Sequence, residues 1–382
     1  MMPHPSPVSR SLRYARLLFP AARAICQPEH QQSLVKQANA LEGWQGFIDY
    51  AEEQGLAPLF YHHASAAGLE LPADVKLQLQ GLALRHRFAA QARRQVLLQV
   101  LPACQSAGID LLLLKGAALA QLAYPQPELR PMRDLDLLTR PAQAHALQRL
   151  LGELGFRQAH SHSELPSPHH LPSLSLPVGE YTVTVEVHYN LFDPAWRAIP
   201  PRIDRWIDRK RPFDLDGLPA YTLSLEDMLW HIYQHMINSK MRLVSAADLT
   251  SLAEGFTAEI DWAKIRRDYP SVIQALALFH AHAPLSAALR QAARVTAGRR
   301  AVPIGEDLQG WPRLPLRGAR QLGWRRFLQQ TFFPSEWWLH LYYGIKNGWT
   351  LPAYRWIVHP LEIMRIALIR LALRGRNSSP RA

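Results

Sequence analysis

Residues 109–140 read IDLLLLKGAALAQLAYPQPELRPMRDLDLLTR, and the division of this stretch into elements decides the fold. Ile109 to Leu114 is apolar except for Asp110, the signature of a buried strand. Lys115-Gly116 ends it. Ala117 to Leu122 are strong helix formers, so Gly116 falls where a helix N-terminus would face a ligand. Pro125, Pro127 and Pro131 stop the helix and force a loop. Arg133-Asp134-Leu135-Asp136-Leu137-Leu138 then reads as a second strand. Side chains alternate along a strand, so Asp134 and Asp136 share one face and Leu135 and Leu137 the other. Two carboxylates roughly 7 Å apart suit a hard divalent cation, and magnesium commonly takes one or two carboxylates plus substrate phosphates. Taken alone, the D-x-D spelling also fits a solvated edge strand with two ordinary acids.

A third segment adds weight to the metal reading. Tyr181 to Asn190, YTVTVEVHYN, alternates cleanly. Val183, Val185, Val187 and Tyr189 form one face, and Thr182, Thr184, Glu186 and His188 the other. Pairing this strand with the D-x-D strand would bring three carboxylates, Asp134, Asp136 and Glu186, around one or two metals. No nucleophilic serine or cysteine constellation is visible.

The series KG…R…DLDLL…VEVH resembles the uncharacterised nucleotidyltransferase family of the polymerase-β-type superfamily, from about Trp44 to about Leu289. The resemblance implies an α/β (α+β) fold, a small mixed-sheet core embedded between helical regions. It implies a glycine motif at a helix start, Gly116, a D-x-D strand with Asp134 and Asp136, and a third acid, Glu186. The implied activity is metal-dependent transfer of a nucleotidyl group from a nucleoside triphosphate, ATP or another, to an unidentified acceptor. Asp134 and Asp136 would hold the Mg²⁺ or Mn²⁺ ion that binds the triphosphate, and Asp136 and Glu186 the second site, where the attacking oxygen is activated. Gly116 would let the backbone approach the phosphates. Lys115, Arg130 and Arg133 would pair with phosphate oxygens, with His188 beside Glu186 in the substrate-binding set. A histidine-bearing helix and a later aspartate, here His235 and Asp248, would line the far wall of the cleft. The chain departs from the pattern in having Gly116-Ala117 behind Lys115 where the superfamily has Gly-Ser or Gly-Gly. The contrasting reading is a non-catalytic module of the same shape, docked on a membrane or a biosynthetic partner through its C-terminal tail.

Composition sets the frame. With 382 residues and 48% hydrophobic content the chain is expected to hold two or three folded domains. The order read along it is a poorly packed N-terminal extension (1–30), a helical cap (31–107), the α/β core (108–195), a helical domain (196–297), and a linker with a basic tail (298–382). Two cysteines give neither a disulfide framework nor a zinc pattern, which points to a reducing, cytoplasmic setting. Pro3, Pro5 and Pro7 and the interrupting arginines Arg10, Arg13 and Arg16 leave no signal-peptide core. The net charge of +12 is uneven: residues 301–382 hold twelve Lys/Arg against four Asp/Glu, so +8 resides there, with six of the eleven tryptophans. Such a concentration predicts a peripheral membrane or protein partner for residues 301–382 rather than specific nucleic-acid binding. Leu361 to Arg374 gathers Glu362, Arg365, Arg370 and Arg374 on about half the helical circumference and apolar residues on the rest.

Other features read as scaffold. The loop carrying His160, His162, His169 and His170 is rich in proline and serine and faces substrate more readily than it holds zinc. Asp214-Leu215-Asp216-Gly217 repeats the D-x-D spelling in a turn. Ser224 caps a helix in which His231 and His235 lie one turn apart. Two sharper expectations follow. All three acids should project from one sheet face into the cleft that the Gly116 helix opens. Asp136→Asn should abolish transfer while leaving the fold intact, and even stabilise the metal-free protein by relieving carboxylate repulsion.

Overall fold

In a computed structural model, residues 7–41, 43–158, 169–192, 203–239, 241–296, 302, 304, 323–345 and 348–377 are described. Five strands build the central sheet: β1 (Leu112–Leu113), β2 (Asp134–Leu138), β3 (Arg157–Gln158), β4 (Leu174–Val178) and β5 (Tyr181–His188). Their spatial order is β1-β2-β5-β4-β3. Only β2 and β5 run parallel; the other pairs are antiparallel. The sheet is therefore mixed, as the α/β (α+β) reading expects. The chain runs from β2 to β5 through a helix and the strands β3 and β4, since parallel strands cannot be linked by a tight turn. A separate hairpin, β6 (Arg211–Leu215) and β7 (Leu218–Thr222), turns through Asp216-Gly217, both at positive φ (56° and 82°). That is the geometry of an Asp-Gly hairpin turn, so this second D-x-D spelling belongs to a turn, with Asp216 paired to Arg94.

Five helices precede the sheet: α1 (Pro7–Leu18), α2 (Pro28–Asn39), α3 (Phe47–Glu53), α4 (Ala57–Ala66) and the long α5 (Ala73–Ser106). Within and around the sheet lie α6 (Lys115–Leu122), α7 (Ala144–Glu153) and α8 (Ile203–Asp208). After the hairpin come α9 (Leu225–Asn238), α10 (Leu243–Gly255), α11 (Trp262–Asp268), α12 (Pro270–His280) and α13 (Ala287–Ala293). The C-terminal part holds α14 (Trp324–Phe332), α15 (Glu336–Tyr343) and α16 (His359–Asn377), the last entered through a π-helical turn at Tyr354–Val358. No helix among the described residues is long and apolar enough to cross a membrane.

One face of the sheet is dry. Leu135 and Leu137 from β2 and Val183, Val185 and Val187 from β5 pack under Val96, Leu97, Val100 and Leu101 of α5 and Leu147 and Leu151 of α7. The period-two pattern thus commits every acid of these strands to the opposite face. A second core joins the N-terminal helices to α9, α10, α12 and α15.

Three expectations are corrected. The first strand is only Leu112–Leu113, because Ile109 belongs to the exit of α5: its N–H bonds to the Cys104 carbonyl just after Gly108 turns at φ 64°. The chain from Pro7 is not a loose extension, since Tyr14, Leu17, Leu18, Phe19 and Arg23 are all buried. Within the tail, Trp337 and Trp338 are core residues, while Trp324, Trp349 and Trp356 are exposed.

Candidate functional site

The polar face of the parallel pair carries the site. Register places Asp134 beside Thr184, Asp136 beside Glu186 and Leu138 beside His188. Directly paired residues share a face, so Asp134, Asp136 and Glu186 project together, as the alternation around Glu186 requires. Leu114 donates its N–H to the Asp136 carbonyl at 3.0 Å, which sets the start of α6 next to that aspartate. Of the acids, Asp136 is buried and Asp134 and Glu186 are half-buried.

The hydrogen bonds converge on Asp136. Lys115 Nζ donates to its Oδ1 at 3.0 Å, and His188 Nε2 lies 2.7 Å from the same oxygen. His188 Nε2 is also 3.6 Å from Glu186 Oε2. Ser173 Oγ donates to Glu186 Oε1 at 3.2 Å. The ligand atoms of Asp136, Glu186 and His188 all lie within 4.8 Å of one another. Two carboxylates and an imidazole that meet at one point fit a divalent cation by chemistry and by spacing. In the metal-free protein, the positive groups at Asp136 are the Lys115 ammonium and the imidazole of His188.

Electrostatics separates the two aspartates. Burial, then the charges of Asp136 and Glu186, push the Asp134 carboxyl up to about 6. Asp136 is buried more deeply, and burial alone would raise it, but Lys115 and the His188 hydrogen bond hold it well below the usual carboxylate range. His188 shows the reverse balance: burial lowers it, and its bonds to Asp136 and Glu186 raise it overall. Burial would likewise raise Glu186, yet the bond from His188 and the charge of His170 lower it. The cost of crowding three acids therefore falls on Asp134. Asp136 is the best-satisfied carboxylate, so Asp134 rather than Asp136 is the acid whose neutralisation is expected to relieve repulsion.

Arg130 and Asp248 turn out to face each other. All three nitrogens of Arg130 are engaged: Nε and Nη2 donate to Asp248 at 3.0 and 2.6 Å, and Nη1 to the Pro131 carbonyl at 2.9 Å. Tyr124 Oη adds a bond to Asp248 Oδ1 at 2.8 Å. This buried cluster ties the loop after α6 to α10. It also explains the glycine. A Cβ on Gly116 would stand 2.6 Å from Arg130 Nη1 and 3.2 Å from Met132 Cβ. The need for a bare backbone at Gly116 comes from the packing of Arg130. The left-handed residue at this turn is Lys115, at φ 45°.

His235 is half-buried on α9, its Nδ1 3.4 Å from Ser239 Oγ, and burial, then Lys115, keeps its imidazole well below the ordinary value. His231, one turn earlier, is buried against the Phe192 ring. Arg133 is exposed at the head of β2. Of the histidine loop, His160 and His162 lie outside the described residues. Its end pairs with β5 through the His170–His188 bridge and the Leu171 N–H to Val187 carbonyl bond. The His169, His170 and His188 rings lie 4.9–5.6 Å apart, and burial, then His188, pushes His169 down to about 3.

Sequence reasoning missed two arginines. Arg93 on α5 and Arg242 at the cap of α10 are half-buried near Asp134. Burial, then the charge of Arg130, lowers Arg93 to about 10 and also lowers Arg242. Both come from helices read as scaffold, and no local pattern marks them. Ser173 was likewise hidden inside the proline-serine loop.

The sequence profile of a family described as "Uncharacterised nucleotidyltransferase" matches residues 41–286. Two solved structures are similar. The antibiotic-resistance factor ANT(2'')-Ia has 17% identity over 50% of this chain and 99% of its own, with a TM-score of 0.33. An antigenic nucleotidyltransferase-like protein from Paracoccidioides brasiliensis has 16% identity over 52% of this chain and 96% of its own, with a TM-score of 0.31. No curated protein matches the sequence.

Proposed function

Because the chain belongs to the uncharacterised nucleotidyltransferase family, we propose that it moves a nucleotidyl group from a nucleoside triphosphate to an acceptor hydroxyl or phosphate, using Mg²⁺ or Mn²⁺ held by Asp134, Asp136 and Glu186 with His188 alongside. The observation that carries this reading is the register of two parallel strands, which sets Asp136 against Glu186 with Asp134 on the same face. A bound divalent cation supplies charge neutralisation for the triphosphate and for the departing pyrophosphate.

The chain's own residues do the positioning. Lys115, Arg93, Arg133 and Arg242 supply positive charge around the D-x-D strand, and arginine pairs bidentately with phosphate oxygens. The acceptor oxygen attacks the α-phosphorus, the bond to the β-phosphate bridging oxygen breaks, and pyrophosphate leaves. Glu186 is half-exposed and held ionised by its neighbours, so it can take the proton of the attacking hydroxyl. With a cation held by Asp136, Lys115 would be released to pair with phosphate oxygens. The buried Arg130–Asp248 pair fixes the turn from which Lys115 reaches out.

The test is incubation of the protein with each labelled triphosphate and Mg²⁺ or Mn²⁺, following pyrophosphate release and label on protein, lipid or metabolite. Release that disappears in Glu186→Gln supports the proposal. If calorimetry finds no cation-dependent binding of any of the four triphosphates, the Lys115–Asp136 pair is a permanent substitute for the cation. The non-catalytic reading then stands in its place.

A further inference from the structure

We propose that α16 docks this protein on the surface of an anionic lipid bilayer. The helix is apolar on two sides. One side, with Ile363 and Ile366, is buried against the body of the protein. The other presents Leu361, Met364, Leu368 and Leu371, continued by Trp356 and Ile357 of the π-helical turn before it, each between 53% and 67% exposed. From Ile357 onward the spacing is four, three, four, three, which keeps these side chains on one stripe about 21 Å long. A row of large apolar side chains in water on a folded chain marks an interaction surface.

The rotation of the helix is fixed from within. Glu362 is buried and accepts from Tyr342 Oη at 3.2 Å on α15 and from Arg365 Nε and Nη2 at 2.8 and 2.7 Å. Turning the stripe inward would pull this carboxylate off Tyr342. A hydrogen-bonded polar group thus holds the hydrophobic face outward, opposite to the inward-facing apolar half that simple amphipathicity would predict.

Three observations choose a lipid surface as the occupant. Residues 301–382 carry +8, so the segment is attracted to anionic headgroups and a second copy of it is repelled. Trp349 and Trp356 are exposed at the entry to the stripe, and tryptophan settles at the headgroup level. The stripe is too short to span a bilayer, and the opposite side of the helix carries Glu362 packed on the body of the protein, so the helix can lie in the interface but not cross it.

The experiment uses the full-length protein and sedimentation with phosphatidylcholine vesicles, with and without phosphatidylglycerol. Binding to the anionic vesicles alone is expected, weakened on the order of tenfold between 0.1 M and 1 M salt as the screening length falls from about 10 to about 3 Å. The Leu361→Glu/Leu368→Glu variant should bind on the order of 100-fold more weakly, since each leucine contributes roughly tenfold. Its triphosphate binding and far-ultraviolet spectrum should match the parent's, because both side chains already face water. Full-length protein that ignores anionic vesicles overturns the proposal and leaves the stripe to a protein partner. A double variant that binds as the parent does, or a dimer that the double variant splits, overturns it as well.

Discussion

Replacing Asp134 by Asn should stabilise the metal-free protein. In the folded chain this carboxyl titrates at about 6 against an ordinary 3.8, because it is half-buried beside Asp136 and Glu186. A folded-state value raised above the unfolded one makes ionisation costly to the fold. The penalty is absent below the unfolded value, grows as pH rises between the two, and is complete above about 6. The rise from 3.8 to about 6 corresponds to about 3 kcal/mol at neutral pH. Urea unfolding of parent and Asp134→Asn, both in chelator, should therefore show the variant ahead by about 2–3 kcal/mol at pH 8 and level with the parent near pH 4. Saturating Mn²⁺ should shrink the advantage, since a bound cation offsets the repulsion in the parent. Asp136→Asn makes the contrast. It removes the negative charge that Lys115 and His188 share and should destabilise by about 3 kcal/mol, the cost of breaking a buried ion pair from one side. If Asp134→Asn is no more stable than the parent at pH 8 without metal, or if both variants stabilise equally, the division of charge drawn here is wrong.

Gly116→Ala should cost about 1–3 kcal/mol in urea unfolding, through overpacking against Arg130 rather than through lost phosphate contact. Asp248→Asn should cost about 3–5 kcal/mol, because it leaves the buried Arg130 guanidinium uncompensated, and a melting curve suffices to check it. Arg93→Met and Arg242→Met should each weaken triphosphate binding by about tenfold in calorimetry while leaving the melting curve close to the parent's, as loss of one charge-assisted phosphate contact predicts.

The sheet was legible because its alternation is strong. Val183, Val185 and Val187 can only face a dry layer, and that fixes Glu186 on the wet side without reference to any neighbour. That β2 and β5 pair follows from bringing the acids together; that they run parallel does not. What could not be read was the end of α5. Ile109 and Asp110 look like strand because they continue an apolar run, yet Gly108 at positive φ lets the Ile109 N–H close the helix instead. The tail misled for a related reason. Amphipathicity records which side chains are apolar but not which face is turned inward, and one buried hydrogen-bonded carboxylate, Glu362, sets that rotation.

The glycine motif was read one residue out of step with its physical cause. Local propensity places Gly116 at a helix start, and a glycine there suggests a backbone exposed to phosphate. In the structure Gly116 is short of lateral room, and the unusual backbone belongs to Lys115. A lysine in the left-handed region costs about 1–2 kcal/mol, which a glycine would avoid. Its side chain supplies what glycine cannot, an ammonium 3.0 Å from Asp136 Oδ1. With His188 on the same oxygen, that charge keeps Asp136 ionised in a buried setting before any cation arrives. The strain at Lys115 and the low titration point of Asp136 are thus two sides of one arrangement. The site is kept charged by Lys115, and no short sequence pattern encodes a contact between a strand-end lysine and an aspartate 21 residues later.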